Sequence, residues 1–382
     1  MTRLGATFAQ APRSAVREML ERALARPGTV HLELGDPDFA TPAHVVEAAN
    51  RAAAEGFTHY TPSAGLPSLR ELIAARVRAA AEQVVVTTGA AGGLFALLRV
   101  LLDSGNELLV PDPGWTGYAA IAGALGAKVR SYALDRSRRF ALDPAAVEAA
   151  LTPATRVIAL NSPGNPAGAV ADRDALRSVI ELAARHDLWV VSDEAYEAFV
   201  FEGTHTSAAA AADGPVISVF TCSKTYAMTG WRVGWVVAPP EVARLVARAQ
   251  EATVTCVSTV SQKAAEAALG GPQECVDEMR AAYESRLERA TKLLDEAGVG
   301  YVRPQGGLYL LVDVAPSGRS SRDFALSLLD EHGVAVVPGS AFGPGAEGLV
   351  RVSLCVAQDR LDEGLARLAA AVKEERVGAS AP

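Results

Sequence analysis

Apolar positions along the chain fall into two rhythms. Short hydrophobic runs at 84–87, 107–110, 157–160, 188–192 and 216–220 read as strands. Between and around them lie helical segments. The first covers 15–25 and is broken by Pro27 and Gly28. A second opens at Thr41-Pro42 and runs to about 55, and a third starts at Pro67. A loop of small residues at 89–93 leads into a helix that reaches 102. After Val242 a helical region continues to about 270, and a long helix over 276–297 stops at Gly298. From Gln83 onward strand and helix alternate, which predicts an α/β fold. Beyond the long helix a smaller alternating unit follows: GGLYLLVDV, a helix over 321–332, VAVVPGSAFG and LVRVSLCV. A domain boundary therefore falls inside or just before the long helix.

Composition narrows the classes available. A chain of 382 residues suits roughly two domains, and 49% hydrophobic with 21% charged residues is the balance of an ordinary globular protein. The formal net charge of -8, without any cluster of Lys and Arg, argues against a nucleic-acid partner. Apolar runs such as 233–238 fall far short of the ~20 residues a membrane span needs, and the first twenty residues lack a signal-peptide core. The expectation is a soluble, cytoplasmic protein. The four cysteines, Cys222, Cys256, Cys275 and Cys355, show neither metal-ligand nor disulfide spacing, so no metal is expected.

Chemistry concentrates in TCSKTYAMTGWRVGW, residues 221–235. Lys224 stands between hydroxyl residues, Arg232 follows eight positions on, and Gly230 and Gly234 let backbone come close. An aldehyde cofactor bearing a phosphate needs such a set: an amine to form an imine, with hydroxyls and a guanidinium for the phosphate. The loop at 89–93 offers free amides and a positive helix end, which also suit a phosphate. Strand after strand ends in a loop rich in Gly, Pro, Asn, Asp or aromatic residues, and in open α/β sheets such loops form the active site. A pyridoxal phosphate site would further require a buried carboxylate for the ring nitrogen, donors for the ring oxygen and an aromatic for the ring face. Asp193, Tyr196 with Asn165, and Trp115 supply these. Gly35, in GDPDF, could bring backbone near a substrate carboxylate. Taken singly, each residue has another reading: Asp193 as a helix cap, Asn165 and Gly35 as turn residues, Trp115 and Tyr60 as packing, Arg232 as a surface charge.

Together and in this chain order, the motifs resemble the fold-type I pyridoxal-phosphate enzymes, specifically the class I/II aminotransferase family, from LELGDPDF to RVSLC. SKTYAMTGWRVG is the most specific segment; NPAG and SDEAYEAF reinforce it. The resemblance implies a large domain, 44–276, with a mostly parallel central sheet flanked by helices. A smaller α/β domain, 277–382, would be completed by 1–43. It implies Lys224 as the Schiff-base lysine and proton carrier, Asp193 at the pyridine nitrogen, and Tyr196 with Asn165 at the ring oxygen. Trp115 would stack on the ring. Arg232, Thr221, Ser223 and the amides of Ala90 and Ala91 would hold the phosphate. Arg351 would pair with the substrate α-carboxylate, with Gly35, Trp115 and Asn165 lining the substrate site. Tyr60 would reach the phosphate of a neighbouring subunit, implying a homodimer with shared active sites. Two segments depart from the family: Ala91 and Gly92 stand where many members carry longer polar residues, and the stretch between Arg70 and Val84 is short.

The expected activity is transfer of an amino group between an L-amino acid and a 2-oxo acid. A carbon–sulfur β-lyase or cyclase using the same cofactor is the alternative. A non-catalytic ligand-sensing module is disfavoured by the intact lysine, aspartate and arginine set. A nicotinamide enzyme is weaker still, because the loop at Gly89 is not GxGxxG.

Overall fold

The structure, a computed structural model, describes residues 14–378. The stretch 1–13, which the expected small domain includes, and the last four residues lie outside the described residues. Among the described residues thirteen strands form three sheets. In chain order they are β1 (Val30–His31), β2 (Val84–Thr87), β3 (Glu107–Asp112), β4 (Lys128–Ala133), β5 (Thr155–Asn161), β6 (Trp189–Asp193) and β7 (Val216–Thr221). These are followed by β8 (Gly234–Val237), β9 (Tyr301–Val302), β10 (Tyr309–Asp313), β11 (Val334–Ala335), β12 (Val337–Pro338) and β13 (Leu349–Ser353).

Seven strands form the main sheet in the order β2-β8-β7-β6-β5-β3-β4. All pairings are parallel except the two made by β8, which runs against its neighbours. Helices cover both faces, so successive residues of one strand enter different cores: Val157 and Ala159 of β5 join one, Ile158 and Leu160 the other. Burial on both sides is why these strands read as unbroken apolar runs. The edge strand β4 exposes Lys128 and Arg130 to solvent; charge on an edge discourages strand addition. It also hid β4 from the hydrophobic pattern.

The helical region expected over 242–270 is two helices, Pro240–Val254 and Thr259–Gly270. Thr255 takes a positive φ of 63°, and the Ser258 side chain accepts the Ser261 N–H to start the second helix. The long helix Glu274–Ala297 stops as expected at Gly298, whose left-handed φ of 67° turns its N–H back to the Leu294 and Asp295 carbonyls. Past it, β12-β13-β10-β9 form an antiparallel sheet, and β1 pairs in parallel with β11. Met19, Ala23, Val30 and Leu32 share one core with residues of 279–372.

Candidate active site

The site gathers where parallel strands of the main sheet end. Asn161, Asp193 and Thr221 are the last residues of β5, β6 and β7, and Asn161 is in register with Asp193. The helix Gly89–Leu101 starts just after β2, and Trp115 lies just past β3.

Asp193 is buried. Its Oδ2 accepts a hydrogen bond from the Tyr118 hydroxyl at 3.0 Å, and its Oδ1 accepts the Ala195 N–H at 3.2 Å. Burial pushes its carboxyl up to about 6, and the Tyr118 bond only partly offsets that rise. Among the described residues no cation pairs with it. The strand end is held from behind by Glu194, whose Oε1 accepts from Ser207 Oγ, Ala208 N and Ser218 Oγ while Oε2 faces His205 Nε2 at 3.0 Å. Trp115 packs edge-on to Tyr118, with centroids 5.2 Å apart, and a Cβ on Gly117 would strike its ring at 2.2 Å.

Lys224 sits in the short helix Cys222–Thr225, and its Nζ donates to the Gly35 carbonyl at 2.6 Å. Thr221 caps that helix, its Oγ1 accepting the Ser223 N–H and lying 2.8 Å from Ser223 Oγ. Arg232, at φ 54°, turns its guanidinium toward the Gly89 loop, donating to the Thr229 carbonyl at 2.7 Å. A Cβ on Gly89, itself at φ 75°, would stand 2.8 Å from Arg232 Nη2. The Arg232 guanidinium and a helix N-terminus carrying Ala90 and Ala91 in its first turn thus meet at the Gly89 turn, and Gly234, in register with Thr221, lies against it.

Arg351 reaches this region from β13. It is 3% exposed; Nη1 donates to Asn165 Oδ1 at 3.0 Å and Nη2 to the Glu33 carbonyl at 2.6 Å, while Nε is buried without a partner. The rings of Tyr309 and Phe342 lie 4.0 and 4.8 Å from its guanidinium carbon. Asn165 Nδ2 approaches the Tyr196 hydroxyl at 3.5 Å, and that hydroxyl lies 3.2 Å from the Tyr309 hydroxyl. Burial first, then Tyr309, pushes the Tyr196 phenol well up, so it keeps its proton.

Tyr60 stands apart: it is 86% exposed and bonds to none of these groups. The hydrogen bonds and ring contacts join Asp193, Trp115, Asn165, Tyr196 and Arg351 to Tyr309, in a segment the sequence reading places only near the substrate pocket, and to residues it missed, chiefly Tyr118, Phe342 and Asn161. Asn161 carried a signal, being the first residue of NSPGNPAG. The aromatic residues carried none beyond their type.

A sheet whose strand ends present an amine, an unpaired buried carboxyl and an arginine beside a helix N-terminus defines a pyridoxal-phosphate enzyme of fold type I. Comparison with known proteins agrees. The model of the family Aminotransferase class I and II matches residues 27–368, and the chain belongs to that family. It is 40% identical to the arginine–pyruvate transaminase of Pseudomonas aeruginosa, covering 90% of each chain. It is 35% identical to aromatic-amino-acid aminotransferase 2 of Thermococcus litoralis, over 95% of this chain and 97% of that one. Aspartate aminotransferase of Thermus thermophilus with maleate superposes at a TM-score of 0.93 and 36% identity, covering 97% of this chain and 100% of that one. The protein is a pyridoxal-phosphate-dependent aminotransferase. Its residues fit the cofactor: Asp193 is a buried carboxyl with no cation beside it among the described residues, and a protonated ring nitrogen would supply one.

Proposed function

We propose that the amino group moves from an L-amino acid to a 2-oxo acid at a site built from the residues above. Bound pyridoxal phosphate supplies an aldehyde carbon for imine formation and a ring that accepts electrons. Lys224 would provide the amine, and its free Nζ would take the proton from the substrate Cα and deliver it to the carbon of the former aldehyde. Asp193 keeps a proton on the ring nitrogen, with Tyr118 and the Ala195 N–H fixing the carboxyl. Tyr196 and Asn165 donate to the ring oxygen, and Trp115 covers the ring face. Arg232, Thr221, Ser223 and the first-turn amides of Ala90 and Ala91 hold the phosphate. Arg351 takes the α-carboxylate through its free Nε and one terminal nitrogen, beside Gly35, Trp115 and Asn165. The observation carrying this reading is the continuity from Arg351 through Asn165 to Tyr196, which joins β13 to loops past β5 and β6.

Lys224→Ala should abolish turnover while leaving the fold intact; an unchanged rate without added amine would refute the assignment. A panel of amino donors with pyruvate and 2-oxoglutarate then defines the substrate. Pyruvate comes first because a relative sharing 40% identity is named for it.

The protein is further read as a homodimer in which Tyr60 of each subunit completes the other's phosphate site, supported by its exposure beside half-exposed Phe57. The division into 44–276 and 1–43 with 277–382 is supported by the separate sheets and by the pairing of β1 with β11. Four cysteines, all free, support a reducing compartment, the cytoplasm.

A further inference from the structure

We propose that Tyr309 positions two site groups at once: its hydroxyl donates to the Tyr196 hydroxyl, and its ring face holds the Arg351 guanidinium. The proposal rests on the reading that Tyr196 faces the ring oxygen of the cofactor and Arg351 clamps the substrate carboxylate.

The donor count requires the first half. A phenol has one hydrogen and two acceptor positions. If the Tyr196 hydrogen goes to the ring oxygen, its lone pairs face inward, toward Asn165 Nδ2 at 3.5 Å and Tyr309 Oη at 3.2 Å. Tyr309 is then the donor of that pair. A hydroxyl that accepts a hydrogen bond becomes a stronger donor itself, so Tyr309 strengthens the bond Tyr196 makes to the cofactor.

Sheet register requires the second half. Tyr309 pairs with Ser353 and Leu311 with Arg351 across β10 and β13, so Tyr309 and Arg351 are diagonal neighbours on one face. The guanidinium carbon lies 4.0 Å from the ring centroid, and both side chains are buried. A cation over an aromatic face in a desolvated site is held firmly in plane. Gly35 makes room for the arrangement, because a Cβ there would fall 1.8 Å from Tyr309 Oη. The Gly35 carbonyl also receives Lys224 Nζ, so one tyrosine touches the walls around amine, ring oxygen and carboxylate.

The two halves separate by substitution. Tyr309→Phe keeps the ring and loses the hydroxyl; Tyr309→Leu loses both. A donor at the ring oxygen stabilises negative charge there, so weakening it makes the bound cofactor hold its proton to higher pH. In purified holoenzyme, Tyr309→Phe should raise the pH midpoint of the cofactor absorption band by on the order of 0.5–1 unit. Tyr196→Phe should shift it further in the same direction, and the KM for the amino donor should stay at the wild-type value in Tyr309→Phe. Tyr309→Leu should move the midpoint and also raise KM roughly tenfold, as Arg351→Lys should. A wild-type midpoint in Tyr309→Phe, with Tyr196→Phe shifted, overturns the hydroxyl role and leaves the site reading intact. A wild-type KM in Tyr309→Leu, with Arg351→Lys raised, overturns the ring role. If neither Tyr196→Phe nor Arg351→Lys moves its readout, the site reading fails and the proposal falls with it.

Discussion

Asp193 is placed where two demands oppose each other. The reaction wants a carboxylate beside a ring nitrogen, while burial penalises the charged form and raises its pKa from the ordinary 3.8 to about 6. A raised acid stabilises the folded chain at low pH, where both states are protonated at that site, and loses the advantage as pH rises through the folded value. Without cofactor, the chain should therefore lose about 2 kcal/mol through this group between pH 4 and 7. Asp193→Asn removes the loss. Thermal melts of the cofactor-free proteins should show the variant gaining on the wild type as pH rises; a constant difference across pH would contradict the assignment. With cofactor bound, the same variant should lose at least about a hundredfold in kcat, since a neutral amide does not hold the ring proton. Gly35 is a second residue fixed by its surroundings. Gly35→Ala sets a methyl group against Tyr309 Oη and should cost about 1–3 kcal/mol in urea unfolding.

Among the elements, strand β6 shows how the site is held from behind. Its last residue is Asp193, and the next, Glu194, is fully buried with three hydrogen-bond donors and the His205 imidazole around it. Those contacts tie the loop at 205–208 and strand β7 to the end of β6. Glu194→Ala leaves the donors unpaired in a dry environment, and a destabilisation of about 3 kcal/mol is expected. Equilibrium denaturation measures it, and cofactor affinity should weaken in parallel because Asp193 loses its support. A loss in stability with cofactor affinity unchanged would separate the two residues. The β8 strand plays a different part: pairing with both β2 and β7, it brings Gly234 against the start of the Gly89 helix, where Arg232 also arrives.

For the whole molecule, the exposed Tyr60 sets the test. If two copies share their active sites, a subunit carrying Lys224→Ala and one carrying Tyr60→Ala complement each other. A hybrid dimer then holds one site with both residues intact, and mixing the two inactive or weakened proteins after co-expression should recover activity. No recovery in purified hybrids would leave each site within one chain and remove the shared-site reading.

Much of the proposed site was legible in the residues. Lys224, Thr221, Ser223 and Arg232 lie within a dozen positions, because phosphate and imine chemistry needs an amine, hydroxyls and a guanidinium on one turn of chain. The strands ending at Asn161, Asp193 and Thr221 were legible too, because burial on both faces leaves unbroken apolar runs. Edge strand β4 was not, since solvent exposure removes that pattern, and β8 was too short to register as more than an apolar stretch. Tertiary structure alone decided the contacts of the aromatic residues. Tyr118 meets Asp193 across 75 positions and Tyr309 meets Tyr196 across 113. No local pattern encodes such contacts: a tyrosine in a helix or strand looks the same whether its hydroxyl meets solvent or a buried carboxyl. The amino-acid sequence by itself determined the cofactor and the kind of reaction, which depend on residue chemistry. Which side chains tune that chemistry depends on the distances that packing sets.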